Sequence, residues 1–211
     1  TINTTNYTYY SGEVLLTGAI FNIADITNDG IYGTYRIESG EINLHQDAVG
    51  SIDLNANITM CDGALRIYGG SSSCWFAGGG NASLTMYGGT FDVVDQGIYI
   101  NNTGYAFDNL IGGGTIRTSR SFVVGRPGFN PTNLIVELYG STDAYVGTAE
   151  GSSLFHLIIN KSGREGDQTR SNTIIGTERL AILGNLMISA GNFSAPQILF
   201  INGNWLNLMG P

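Results

Sequence analysis

The chain has 211 residues, a formal charge of −8 and only 12% charged residues, against about 25% in an ordinary soluble domain. That acidic balance argues against nucleic acid as a partner, because phosphate binding needs a basic face and the densest basic cluster near the middle of the chain is the pair Arg117 and Arg120. A hydrophobic content of 42% argues against disorder, and the absence of any run of 18 or more apolar residues argues against a membrane span.

Glycine is abundant at 31 residues and proline scarce at 4, so the chain is neither collagen-like nor a proline-rich linker. Lys161 is its lone lysine. Turn-rich, strand-rich and lysine-poor composition points to an all-β protein working outside the cell. Residues 1–211 read as a single domain long enough to bury a sizeable core. The start at Thr1 and the stop at Gly210-Pro211 both suggest a piece of something longer.

Residues 1–10 alternate Thr, Asn and Tyr with almost no aliphatic side chains. They read as an edge strand, a cap, or an exchange strand completing a neighbouring subunit. The first strand–corner–strand unit follows over residues 11–23. The clearest such unit is LTMYGGTFDVV, residues 84–94, where Leu84 and Met86 precede a Gly88-Gly89 corner and Phe91 and Val93 follow it. Apolar residues at alternate positions mark a half-buried strand, and paired glycines permit the positive φ of a sharp corner.

This phrase recurs with glycine markers at Gly18, Gly40, Gly63, Gly89, Gly114, Gly140, Gly163 and Gly191, a period near 25 residues. A propeller blade needs about 40 residues. A leucine-rich repeat needs an LxxLxL phrase that is absent, and no stretch has convincing helical spacing. Two or three short strands per period, joined by Gly, Asn, Asp and Ser corners, fit one turn of a solenoid. The expectation is an all-β, right-handed parallel β-helix of about eight turns. Ile42, Leu44, Leu65, Ile67, Phe91 and Val93 should point inward and stack in register, because each follows its corner at a matching offset.

Residues 180–207, LAILGNLMISAGNFSAPQILFINGNWLN, are the most regular. This stretch resembles the repeats of large secreted and cell-surface β-solenoid proteins of bacteria. The resemblance implies an extracellular, surface-associated chain.

Parallel β-helices include pectin lyases and polygalacturonases, whose chemistry needs grouped carboxylates or a calcium site beside a basic residue. Asp92 and Asp95 straddle one strand and Asp25 and Asp29 flank a turn, but there is no Asp-Asp pair and no Gly-His-Gly. Arg36-Ile37-Glu38 and Arg126-Pro127 match the corresponding enzyme phrases only in part. Solvated corner carboxylates are the plain reading, and the expectation is a protein that is not an enzyme and needs no cofactor.

Calcium is the one cofactor the residues bring up. Asp25-Ile26-Thr27-Asn28-Asp29-Gly30 has oxygen ligands at alternate positions before a glycine, the first half of a calcium loop. Its twelfth position is Arg36, so the distal acidic ligand is missing, and a type I turn explains the same residues. His45 and His156 lie apart from each other and from the cysteines, so no zinc set is visible. Cys61 and Cys74 flank a serine-rich stretch. They form either a disulfide, worth about 3 kcal/mol on loop-entropy grounds, or two packed free thiols. The sequons at Asn3, Asn57, Asn81 and Asn160 read as composition rather than glycosylation.

Two surfaces suggest partners. Tyr7, Tyr9, Tyr10, Tyr32, Tyr35, Tyr99, Tyr105 and Tyr145 sit in polar surroundings, where rings stack on sugars or cover solenoid edges. The phrase Ile198, Leu199, Phe200, Ile201 and Trp205 is apolar on both strand faces, with no charged residue from Pro196 to Pro211. Uncapped strand edges recruit further strands. The leading expectation is therefore a structural surface protein that assembles with copies of itself into a layer or filament, the polar strand of residues 1–10 meeting this apolar end. A glycan-binding adhesin segment is the alternative, and a polysaccharide lyase or hydrolase the third.

Overall fold

The computed structural model describes residues 2–4, 13–24, 30–46, 52–69, 73–76, 83–101, 106–109, 113–161 and 173–208. Asp25, Asp29, Tyr7, Tyr9, Tyr10, Tyr105 and Gly163 lie outside the described residues. Within them every element is a β-strand, and every pairing between strands is parallel.

The chain forms a parallel β-solenoid, and its turn count differs only a little from the eight expected. One ladder starts from Ile2–Thr4, Glu13–Ala24 and Gly30–Gln46. It climbs through Ala64–Gly69, Thr90–Val93, Thr115–Thr118 and Ile135–Tyr139. His156–Asn160, Leu186–Ala190 and Trp205–Asn207 complete it.

A second ladder leaves Ile52–Met60 through Ser73–Trp75, Gly97–Ile100 and Phe122–Val124. It continues through Ala144–Thr148 and Thr173–Gly176 to Asn192–Ser194. A third set joins Gly30–Gln46, Ile52–Met60, Ser83–Met86 and Ala106–Asn109. Arg179–Ile182 and Ile198–Ile201 form a separate pair that bridges to Leu154.

Alternation builds the core. Along residues 53–60 each of Leu54, Ala56, Ile58 and Met60 is buried, while Asp53, Asn55, Asn57 and Thr59 between them are half-buried. Because a parallel ladder keeps inward positions in line, Ile42, Leu65, Phe91, Ile116, Val136, Leu157 and Leu186 form one buried column. Leu44, Ile67 and Val93 stack beside it. The six inward positions expected from the corner offsets are therefore borne out. Phe76 packs edge-on against Phe91 at 5.8 Å, and Phe122 meets Phe129 at 6.2 Å.

The corners are glycine for two reasons. Gly18, Gly40, Gly63, Gly89, Gly114, Gly140 and Gly191 all adopt positive φ. Gly40, Gly63, Gly89 and Gly114 also stack on the turn below: a Cβ on Gly63 would lie 2.4 Å from the Gly40 carbonyl oxygen, closer than any side chain tolerates. Both the twist of the corner and the approach of the turn below exclude a side chain.

Cys61 and Cys74 are both free. Cys74 stands in register with Ile52 at the start of the Ile52–Met60 strand, whereas Cys61 follows the end of that strand. The strand between them separates the two thiols beyond the reach of a disulfide, so the bonded alternative is set aside.

Candidate functional site

On the outward side of the first ladder, residues that alternate with the buried column stand one above another. Asn22, Asn43, Arg66, Asp92, Arg117 and Glu137 occupy successive rungs. The side-chain amide of Asn43 donates to Asn22 Oδ1 at 2.9 Å. Arg66 Nη1 lies 2.7 Å from Glu41 Oε2.

The upper part is denser. Arg117 Nε donates to Glu137 Oε2 at 2.8 Å, and its Nη1 lies 3.6 Å from Asp92 Oδ2. The guanidinium sits 4.5 Å from the centre of the Tyr139 ring, a cation–π geometry. Tyr139 donates its hydroxyl to Asp92 Oδ1 at 2.8 Å, and Asn160 donates to Glu137 Oε1 at 3.1 Å.

Asp92 is therefore not the solvated corner carboxylate expected from the sequence, since it is only 5% exposed. Burial pushes its carboxyl above the usual carboxylate range, opposed by the Tyr139 hydrogen bond and the Arg117 charge. Burial and the neighbouring Asp92 likewise push the Tyr139 phenol upward. Each carboxylate oxygen of Asp92 and Glu137 has a partner, so the cluster acts as a brace tying several rungs together.

The other sequence candidates are scattered. His45 stacks flat on Tyr68 at 4.7 Å, and His156 accepts at Nδ1 from the Asn185 amide. Among the described residues no group of three His, Cys, Asp or Glu could hold a metal ion. Tyr35 is buried rather than a surface ring, while Tyr32 and Tyr145 are exposed and Tyr99 is half-buried against Trp75. Tyr87, which the sequence reading passed over, is as exposed as Tyr145.

The last turn has two unlike faces. Leu199 and Ile201 pack against the core, whereas Ile198, Phe200, Trp205, Leu206 and Leu208 are exposed, the least of them 44%. The expected apolar phrase is thus sided. Among the described residues no strand pairs with the outer edges of Ile198–Ile201 and Trp205–Asn207.

Two features carried no sequence signal. A cleft of about 560 Å³ is lined by Val123, Gly125, Thr177, Glu178, Arg179 and Gln197 among others. Arg179 Nη1 braces its wall through Ala149 O at 3.1 Å, Ser152 O at 3.2 Å and Thr148 Oγ1 at 3.4 Å. Lys161 is 1% exposed and donates from Nζ to Ser119 O at 2.6 Å. Burial lowers its ammonium to about 8, with Asp143 opposing the shift and Arg120 adding to it.

Compared with known protein families, curated proteins and solved structures, the chain matches none of them.

Proposed function

We propose that this chain is a structural protein of a bacterial cell surface, working outside the cell, a β-solenoid that stacks end to end with copies of itself into a layer or filament. The observation that carries this reading is the row Ile198, Phe200, Trp205, Leu206 and Leu208, exposed together on a turn whose outer strand edges are unpaired among the described residues. An apolar strand face beside free N–H and C=O groups is a template for a further parallel strand. A head-to-tail contact between identical solenoids repeats without closing, which yields filaments rather than rings. Low charge, a single lysine and the likeness of residues 180–207 to secreted solenoid repeats agree with a surface setting.

The test is particle size by light scattering and electron microscopy, with and without Ile198→Glu and Phe200→Glu together. Those positions face outward, so the inward contacts of Leu199 and Ile201 stay intact. Wild-type protein should form large particles and the double variant should not. A parent chain that stays monomeric when concentrated, or a folded double variant with unchanged particles, would sink the proposal.

A further inference from the structure

The outward column of the second ladder leads from aromatic rings into the cleft. Trp75, Tyr99, Val123 and Gly147 stand in register on successive rungs, about 4.8 Å apart. The Trp75 and Tyr99 rings lie 5.2 Å apart and are tilted by 31°, and both are half-buried, so the pair forms a partly exposed platform. Val123, one rung on, already lines the cleft.

Past it the column has no side chain of its own. A Cβ on Gly147 would fall 1.6 Å from Thr177 Oγ1, so the Thr177 hydroxyl occupies that place. On the rim, Asn101 Oδ1 likewise sits over Gly125, 2.1 Å from where its Cβ would be. Arg179, Glu150, Glu178 and Gln197 supply the remaining polar groups. Arg179 reaches the cleft wall through Nη1, and its guanidinium carries five N–H donors in all.

We propose that this groove binds a neutral oligosaccharide lying along the solenoid axis, with sugar rings on the Trp75–Tyr99 platform and hydroxyls in the Arg179 cleft. Sugar hydroxyls both donate and accept, and the cleft offers both functions: Arg179 and Gln197 donate, Glu150 and Glu178 accept, and Thr177 does either. An apolar floor with a few convergent polar groups, in a volume of several hundred Å³, is how small-ligand sites are built. The two carboxylates and the net charge of −8 disfavour an anionic polymer. A peptide strand is disfavoured too, because the ladder along Trp75, Tyr99 and Val123 already pairs its backbone on both sides. This inference goes beyond the assembly reading and does not rest on it.

The test uses tryptophan fluorescence. The chain has two tryptophans, so Trp205→Phe leaves Trp75 as the sole reporter. That protein is titrated with cellotetraose, mannotetraose, xylotetraose and chitotetraose, and with tetragalacturonate as the acidic contrast. At least one neutral tetrasaccharide should change Trp75 emission saturably. Tyr99→Ala and Arg179→Gln should each weaken it about tenfold. Since Arg179 also braces a corner, Gln197→Ala at an exposed position tests the cleft without that risk and should weaken binding in the same direction. Tyr87→Ala, an exposed ring off this column, should leave affinity unchanged. No response to any neutral sugar at millimolar concentration, unchanged affinity in both Tyr99→Ala and Gln197→Ala, or preference for tetragalacturonate would each overturn the proposal. Light scattering on the parent chain, with Trp205 in place, reads assembly separately.

Discussion

The phenol of Tyr139 donates to Asp92 Oδ1 at 2.8 Å, joining residues 47 positions apart in the chain. The bond crosses the rung that carries Arg117, whose guanidinium lies against the Tyr139 ring. Tyr139→Phe keeps the ring and removes the donor, leaving a buried carboxylate oxygen without that partner. The loss should be about 1–3 kcal/mol in urea denaturation. Burial already holds the folded Asp92 carboxyl above its ordinary value. The native state therefore binds this proton more readily than the unfolded chain, and the ionised form is the costly one. The penalty of Tyr139→Phe should accordingly be larger at neutral pH than below the usual carboxylate range.

Two glycines separate backbone strain from stacking. Gly63 has a φ of 81° and its added Cβ would meet the Gly40 oxygen at 2.4 Å, while Gly128 has a φ of 91° and nothing within 4 Å. Gly128→Ala should cost about 1–2 kcal/mol, the penalty of a left-handed residue alone. Gly63→Ala should cost clearly more, because the turn beneath must shift as well. Equal midpoints for the two variants in denaturant would show that the corners do not pack as described.

Lys161 has its own pH signature. Its folded ammonium is lowered by burial to about 8, from an ordinary 10.5. Between those values the unfolded chain binds more protons than the native one, so stability should rise with pH through that window. Thermal melts from pH 8 to 9.5 should climb for the parent and flatten in Lys161→Met. The Ser119 carbonyl would still accept from Thr142 Oγ1 in that variant. A parallel climb in both proteins would assign the effect to other groups.

The free thiols make the last prediction. Burial pushes the Cys74 thiol well up, and burial together with nearby Glu38 also raises the thiol of Cys61, which is half-buried at its corner. A thiol reagent should therefore label Cys61 slowly in the native protein and Cys74 only after denaturation. The melting temperature should not respond to reductant. A denatured, unreduced chain without titratable thiols would contradict this assignment.

What the sequence by itself determined is the repeat and its sidedness. Alternation along a strand is local, and glycine at each corner is demanded by local φ, so Ile42, Leu65 and Phe91 could be placed inward in one register before any coordinates. The same alternation put Asp92 outward but could not tell that Arg117 and Tyr139 bury it. Nor could it tell which half of Ile198–Ile201 faces out. Which outward residues meet depends on the lengths of the intervening turns, and those are uneven. Leu157 and Leu186 bracket a much longer stretch than Leu186 and Trp205. Only the stacked structure sums those lengths into a register, and that register brings Tyr139 to Asp92, Tyr99 to Trp75 and Thr177 into the space at Gly147.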